Sequence, residues 1–204
     1  MFNLVVADPP WTFDDQLPGP GRRAAKHYDT MTVAEIAALP VRDVIAKDAA
    51  LLLWVPSAVI RDGLAVAHAW GFVEKQTWTW VKLRKGKTEN TTGEIPDVTV
   101  DDLAFGMGRY ARNCHEIALL CVRGRMPPTV RDVRTVFFSP SLRHSEKPEC
   151  VQDALDRMYP DARRLEMFAR RRREGWLCVG NEAPGTLGQD IRHTMKRLVA
   201  LVQA

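Results

Sequence analysis

The chain has 204 residues, 46% of them hydrophobic, which is the size and composition of one globular domain with a substantial core. It has no apolar run of about 18 residues and no N-terminal leader pattern, so neither a membrane span nor a signal peptide is expected and a cytoplasmic protein is predicted. The net charge of +4 attracts polyanions weakly, and four cysteines without C-x-x-C spacing predict neither a zinc site nor a disulfide framework.

Strand and helix signals alternate along the chain, which predicts an α/β domain with a largely parallel sheet. Strands are predicted at residues 2–7, 49–55, 72–82, 117–122, 135–138, 164–168 and 176–179. Helices are predicted at residues 32–39, 57–70, 148–158 and 187–202. Thr32 and Glu35 fit a capping box, Ser57 fits a second N-cap and Gly71 a C-terminal cap. Polar segments at 12–31, 84–110 and 126–134 are predicted to be loops.

The most informative segment is Asp8-Pro9-Pro10-Trp11, which directly follows the predicted strand at residues 2–7. Proline has no backbone donor and a fixed φ, so the strand ends there in a stiff turn. In open α/β sheets, ligands bind at the carboxyl ends of the strands. The segment therefore places a carboxylate and an aromatic ring at a predicted binding edge.

These residues suit the activation of a nucleobase amino group, which is a poor nucleophile because its lone pair is delocalised into the ring. The Asp8 carboxylate and the Pro9 carbonyl would accept the two N–H donors and orient the lone pair. Trp11 would stack on the base or border it. The alternative is a rigid loop whose tryptophan fills an edge of the core.

A second strand end carries residues suited to a nucleoside. The predicted strand at 176–179 is followed by Gly180, Asn181 and Glu182. An acid at the end of a sheet strand accepts hydrogen bonds from both ribose hydroxyls, and Asn181 would add an amide contact. The alternative is an ordinary surface turn, because these residue types are common in turns.

Two further features have both a structural and a functional explanation. The segment His144–Pro148 precedes a predicted helix and brings Ser145 and Lys147 to its N-terminus, where a ligand carboxylate binds well; a plain helix start is the alternative. Basic residues are clustered, which either a solvated face or nucleic-acid binding explains. The clusters are Arg22 with Arg23 and Lys26, Lys82 to Lys87, Arg123 with Arg125, and Arg170 to Arg173.

Taken together, these motifs resemble the MT-A family of N6-adenine methyltransferases, and the resemblance covers nearly the whole chain. The matching segments are residues 8–11, His27-Tyr28 with Thr30-Met31, Leu53–Val55, Trp78–Lys82, G-x-G-x-x-x-R-x-x-x-E at 106–116, His144–Pro148, Leu165–Arg170 and Gly175–Glu182. One such motif is weakly specific, whereas all of them in this order are strongly specific. The chain departs from the family's mRNA enzyme at Glu146, at Arg172-Arg173 and at Glu182.

The resemblance implies an S-adenosylmethionine (SAM)-dependent methyltransferase of the Rossmann-like α/β fold, three-layered, with motifs in circularly permuted order in a single domain over residues 1–204. It implies that Asp8–Trp11 carry the catalysis and hold the base, without a metal. The implied cofactor-binding residues are Asp8, Ser145, Lys147, Arg170, Asn181 and Glu182. The loops at about 12–30 and 84–113 are implied to be mobile gates over the substrate.

The expected substrate-binding residues are Trp11, His27, Tyr28, Lys82 and Arg112. His27 and Tyr28 would contact the base, or would only anchor their loop. Arg112 stands four residues before Glu116, so the two would pair if the segment were helical, with Arg112 near phosphate.

The leading hypothesis is transfer of a methyl group from SAM to the N6 amino group of adenine in DNA by direct displacement. DNA is favoured over RNA because the chain is compact and carries no added zinc finger or arginine/glycine tail. RNA adenosine methylation is one alternative, and a catalytically inactive nucleic-acid-binding subunit is another, which the presence of Asp8 and Glu182 disfavours. The resemblance favours a bacterial or phage enzyme and allows a homodimer or a heterodimer with a related subunit.

Overall fold

The computed structural model describes residues 1–12, 30–84, 97–106, 110–140 and 146–203. Its strands and α-helices, in chain order, are β1 (Phe2–Ala7), α1 (Val33–Ala37), β2 (Ile45–Val55), α2 (Ile60–Ala69), β3 (Val73–Leu83), β4 (His115–Arg123), β5 (Val136–Pro140), α3 (Glu149–Met158), β6 (Arg164–Met167), β7 (Trp176–Val179) and α4 (Ile191–Gln203). Within these ranges, no helix has the length and apolar character needed to cross a lipid bilayer.

The seven strands form one sheet in the order β5-β3-β4-β2-β1-β6-β7. β1 lies between β2 and β6 and is parallel to both, and the pairs β6–β7 and β3–β5 are also parallel. The central strands β1 and β2 carry continuous apolar runs, and Leu4, Val5 and Leu51–Leu53 are fully buried, as in parallel strands covered on both faces. The predicted α/β, Rossmann-like, mostly parallel fold is confirmed.

The described residues group into two compact units. The first unit consists of Met1–Lys75, Leu119–Met126 and Arg163–Ala204. Its core brings together apolar side chains of β1, β2 and α2, including Val5, Leu51 and Trp70, which are fully buried. The indole N–H of Trp70 donates to the carbonyl oxygen of Ile36 at 3.1 Å, so this buried polar group is satisfied.

The second unit consists of Gln76–Ala118 and Pro127–Ala162. Trp78 packs against Phe137 with ring centroids 5.2 Å apart, and Trp80 donates its indole N–H to Ser139 O at 3.1 Å. These contacts join β3 to the edge strand β5. The expectation of a single methyltransferase domain over residues 1–204 stays a prediction.

Local sequence signals predicted several element boundaries correctly. The predicted strands at 2–7 and 176–179 have the observed bounds of β1 and β7. Thr32 caps α1, and its side chain and that of Glu35 form the two reciprocal bonds of a capping box. Gly71 follows α2 with φ of +87°, a conformation that favours glycine at a helix C-terminus.

Two helix starts were predicted wrongly. Ser57 makes no capping hydrogen bond, because it begins a 3₁₀ turn and α2 starts only at Ile60. The last helix starts at Ile191 rather than at residue 187. The reason is that Thr186 bonds back to Gly180, so residues 180–188 form a turn of their own.

Candidate active site

Three neighbouring parallel strands of the first unit end at one level. Ala7 of β1 pairs with Met167 of β6, and Met167 pairs with Val179 of β7. The residues that follow, Asp8, Phe168 and Gly180, therefore begin three adjacent loops. Because paired strands lie about 4.8 Å apart, these loops start within about 10 Å of one another. This is the edge at which open α/β sheets bind ligands.

The Asp8–Trp11 turn is held by hydrogen bonds on both sides. Trp11 N donates to Pro9 O at 2.9 Å, and Met31 N donates to Pro10 O at 2.8 Å. The Trp11 indole N–H donates to Trp54 O, at the end of the neighbouring strand β2, at 2.9 Å. The turn is consequently fixed to two other segments of the first unit.

The exposure and hydrogen bonds of the turn residues determine which of them can contact a ligand. Asp8 is partly exposed at the strand end. The Pro9 carbonyl already accepts the Trp11 amide, but a carbonyl oxygen has two lone pairs, so it has capacity for a second donor. Trp11 is only 4% exposed, and its ring belongs to the core. The indole therefore has little free surface for stacking in this conformation, and its substrate-binding role stays a prediction.

The loop after β6 is strained and tightly packed. Phe168 has φ of +62°, in the left-handed region that costs a residue other than glycine about 1–2 kcal/mol. A Cβ atom on Gly180 would lie 2.7 Å from Ala169 O and 2.8 Å from Ala169 N. Only glycine allows the β6 and β7 loops to approach this closely. Such backbone strain clusters at functional sites.

The turn after β7 is closed by its own hydrogen bonds. The Thr186 hydroxyl donates to Gly180 O at 2.6 Å and accepts from Gly180 N at 3.0 Å, and Gly188 N donates to Asn181 O at 2.7 Å. Asn181 is exposed and Glu182 is partly exposed. Thr186 holds the turn that presents these two side chains, a role that its sequence context did not indicate.

Arg170 and Glu182 form an ion pair that links the β6 and β7 loops. The Arg170 Nη1 and Glu182 Oε2 atoms are 3.7 Å apart, and the two side chains are 31% and 40% exposed. This separation exceeds hydrogen-bond distance, so Arg170 does not use the acceptor positions of the Glu182 carboxylate through this contact. The carboxylate is therefore suited to accept hydroxyl donors from a ligand.

In the second unit, Lys82, Glu116 and Lys147 form a charged cluster. Lys147 Nζ lies 3.2 Å from Glu116 Oε2, and Lys82 Nζ contacts Glu116 Oε1. The three side chains are only 16–27% exposed. Lys82 Nζ also lies 4.9 Å from the ring centroid of Trp80, a cation–π contact.

Glu116 is ionised in this cluster. Burial raises its pKa by desolvation, but the charges and hydrogen bonds of Lys147 and Lys82 outweigh that effect, so the pKa is lowered overall. Two ammonium groups and one carboxylate leave the cluster with a net positive charge. The expected pairing of Arg112 with Glu116 is wrong, because Glu116 lies on strand β4 and faces the lysines.

The structure places the predicted site residues in two groups. Asp8–Trp11, Arg170, Asn181 and Glu182 share the strand-end edge of the first unit. Lys82 and Lys147 share the charged cluster of the second unit, while Arg112 lies over Phe105. His27, Tyr28 and Ser145 lie outside the described residues. No group of three side chains suited to hold a metal ion occurs in the part of the chain that the structure describes.

The chain is similar to one protein family and to several methyltransferases. The MT-A70 family model matches residues 2–182. An N(6)-adenosine-methyltransferase MT-A70-like protein of Arabidopsis thaliana is 29% identical over 187 residues, 90% of this chain and 24% of the plant protein. The Type II methyltransferase M.MunI of Mycoplasma sp is 25% identical over 202 residues, 90% of this chain and 78% of that protein. The human N(6)-adenosine-methyltransferase catalytic subunit METTL3 is 25% identical over 90% of this chain and 28% of its own length.

Proposed function

The chain belongs to the MT-A70 family, and from this premise we propose that it transfers a methyl group from SAM to the N6 amino group of adenine in DNA. One observation carries the proposal. Asp8, Arg170 and Glu182 lie in or next to the three loops that leave adjacent parallel strands at one level. At that edge, Asp8 is suited to bind the amino group of a nucleobase. Glu182 and Arg170 are suited to bind a nucleoside cofactor.

The residues at the β6 and β7 strand ends fit SAM by their chemistry. Glu182 has acceptor capacity for the two ribose hydroxyls, Asn181 is exposed beside it, and Arg170 supplies a cation for a carboxylate. The close approach at Gly180 keeps the turn in place against the β6 loop. We also assign Asp8, Lys147 and Ser145 to cofactor binding, as the resemblance implies. When bound, SAM supplies a methyl group made electrophilic by its sulfonium.

Asp8 and Pro9 are assigned to orient the N6 amino group of adenine. The Asp8 carboxylate accepts one N6–H of adenine, and the second lone pair of the Pro9 carbonyl accepts the other. Both acceptors together turn the nitrogen lone pair out of conjugation and fix its direction. After transfer, the surplus proton on N6 passes to water or to the Asp8 carboxylate. The buried Trp11 acts as a positioning residue through its bond to Trp54 O.

We take DNA as the substrate because a Type II methyltransferase is among the relatives, and this chain aligns with 78% of that protein. The two relatives named for adenosine, the ribonucleoside, are matched over only 24% and 28% of their lengths. RNA adenosine is the second candidate, and an inactive nucleic-acid-binding subunit is the third.

We assign Lys82 and Arg112 to the substrate strand, together with His27 and Tyr28. Lys82 belongs to a cluster of net positive charge and Arg112 is an exposed cation, and both suit a polyanion. A cytoplasmic location and a dimer with itself or a related subunit remain predictions.

The test is to incubate the protein with methyl-labelled SAM and matched DNA and RNA oligonucleotides, and to identify modified nucleosides by mass spectrometry. We expect N6-methyldeoxyadenosine from the DNA. Methylation of RNA alone would select the second candidate. Absence of methylated nucleoside from both pools, in a folded protein that binds SAM, would contradict the proposed activity.

A further inference from the structure

We infer that Phe105 and Arg112 form a platform on which an unpaired base of the substrate strand stacks. The base would belong to the same strand as the methylated adenine. This inference rests on the proposed function and names a binding surface for the same substrate.

The aromatic side chain of the platform is unusually exposed. Phe105 is 71% exposed, although large aromatic side chains are normally buried. Arg112 is exposed as well, and its guanidinium carbon lies 4.8 Å from the Phe105 ring centroid. An exposed aromatic ring and a guanidinium are thus in cation–π contact.

Backbone hydrogen bonds hold the platform in place. Gly106 N donates to Asn113 O at 3.0 Å, which brings the residue after Phe105 against the residue after Arg112. A side chain on Gly106 would collide with that same Asn113 oxygen, so the close approach requires glycine. The spacing between Phe105 and Arg112 is therefore set by the backbone.

The platform is also anchored to the end of β3. Ala104 N donates to Lys82 O at 2.7 Å, and Arg84 N donates to Asp102 O at 2.9 Å. Phe105 thus directly follows a residue bonded to Lys82, whose side chain belongs to the net positive cluster with Glu116. The stacking surface and the charged cluster are parts of one unit.

Charge and shape together favour a nucleic-acid strand as the occupant. Bases of single strands stack on aromatic rings and on arginine planes, while basic side chains attract the phosphates. An apolar protein partner would gain nothing from the guanidinium beside the Phe105 ring. The Arg112–Phe105 pair offers an exposed aromatic ring next to a cation, which suits an anionic strand with unpaired bases.

The test measures binding of fluorescent single-stranded DNA containing one target adenine, by anisotropy. Phe105→Ala is expected to weaken binding by about 5- to 150-fold, the effect of removing one stacked base contact. Phe105→Trp should retain binding. Arg112→Lys should lose part of the affinity that Arg112→Ala loses, because lysine keeps the charge but not the plane. The matched controls Val100→Ala and Arg61→Ala, also at exposed positions, should bind as the wild type does.

An abasic nucleotide moved along the strand locates the contact. At the stacked position, it should weaken binding to the wild type but not to Phe105→Ala, which is the coupling expected of a direct contact. The platform would be overturned if the abasic nucleotide and Phe105→Ala showed no coupling at any position, or if Phe105→Ala bound with wild-type affinity. The proposed function would still stand in that case if the wild type methylated the DNA. If the wild type neither binds nor methylates nucleic acid, both proposals fail.

Discussion

Two glutamates of this chain lie in different charge environments. The Glu182 side chain is 40% exposed and 3.7 Å from Arg170, whereas Glu116 is 27% exposed and contacts two lysines. Solvent screens the first pair strongly and the second pair less. Glu182 is therefore suited to bind a ligand, and Glu116 to hold Lys82 and Lys147.

Replacing Glu182 by alanine is expected to weaken SAM binding by about 1–3 kcal/mol, because a charge-assisted contact to the ribose is lost. Calorimetric titration measures the change. Glu182→Gln, which keeps an acceptor oxygen, should lose less, and the exposed Glu174→Ala should match the wild type. Unchanged affinity in Glu182→Ala would remove this residue from the cofactor site.

Replacing Glu116 by glutamine is expected to lower the free energy of unfolding by about 1–3 kcal/mol at pH 7. The pKa of Glu116 is lowered in the folded protein, so its ionised form stabilises the fold above the unfolded pKa. That stabilisation is lost as the pH falls through the folded pKa. The difference between wild type and variant should therefore shrink below about pH 4.5.

Chemical denaturation at several pH values measures this difference. Asp132→Asn is the control, because its ion pair with Arg157 is 58–64% exposed and should contribute little to stability. A difference between wild type and Glu116→Gln that stays constant down to pH 3 would show that the carboxylate charge is not the cause.

The loops after β1, β6 and β7 define the candidate site. Their common level follows from the register of Ala7 with Met167 and of Met167 with Val179. The β6 loop then turns sharply at Phe168, and the β7 loop packs against it at Gly180. The geometry of the site thus depends on the close contact between these two loops.

Gly180→Ala is expected to destabilise the protein by about 1–3 kcal/mol, because the new methyl group would overlap the Ala169 backbone and push the loops apart. SAM affinity should fall with it. Gly185→Ala is the matched control, since a Cβ there meets no atom within 4 Å. Equal melting temperatures for the two variants would mean that the β6 and β7 loops accommodate the added methyl group without loss of stability.

Sequence patterns predicted the elements whose determinants are local. The strand at β7, the Thr32 capping box and the C-terminal Gly71 each depend on a few consecutive residues. The segments carrying Asp8 and Glu182 were identified in the same way, because a strand followed by breaking residues is a local pattern.

Features that depend on tertiary contact were not predictable from spacing. Arg112 and Glu116 have helical spacing, but the strand conformation turns Glu116 toward Lys82 and Lys147. The left-handed Phe168 had no sequence signal, because bulky residues rarely adopt that conformation. Burial of Trp11 was one of two alternatives that its motif left open, and only the packed core distinguishes them.

The two compact units carry different parts of the proposed chemistry. The first unit has the strand-end loops, and the second has the lysine cluster and the exposed aromatic platform. An adenine in a duplex must leave its stack before its N6 group is accessible, at a cost of a few kcal/mol. An exposed stacking surface for an unpaired base of the same strand would offset part of that cost.

The most direct test of the account is the turnover of Asp8→Ala at saturating SAM and saturating DNA, with the exposed Asp43→Ala as control. Asp8 is assigned to orient the attacking amine, and loss of one such contact lowers turnover by about 100-fold or more. We predict that loss for Asp8→Ala, with its melting temperature and SAM binding still measurable, and wild-type turnover for Asp43→Ala. Turnover of Asp8→Ala within about twofold of the wild type would contradict the account.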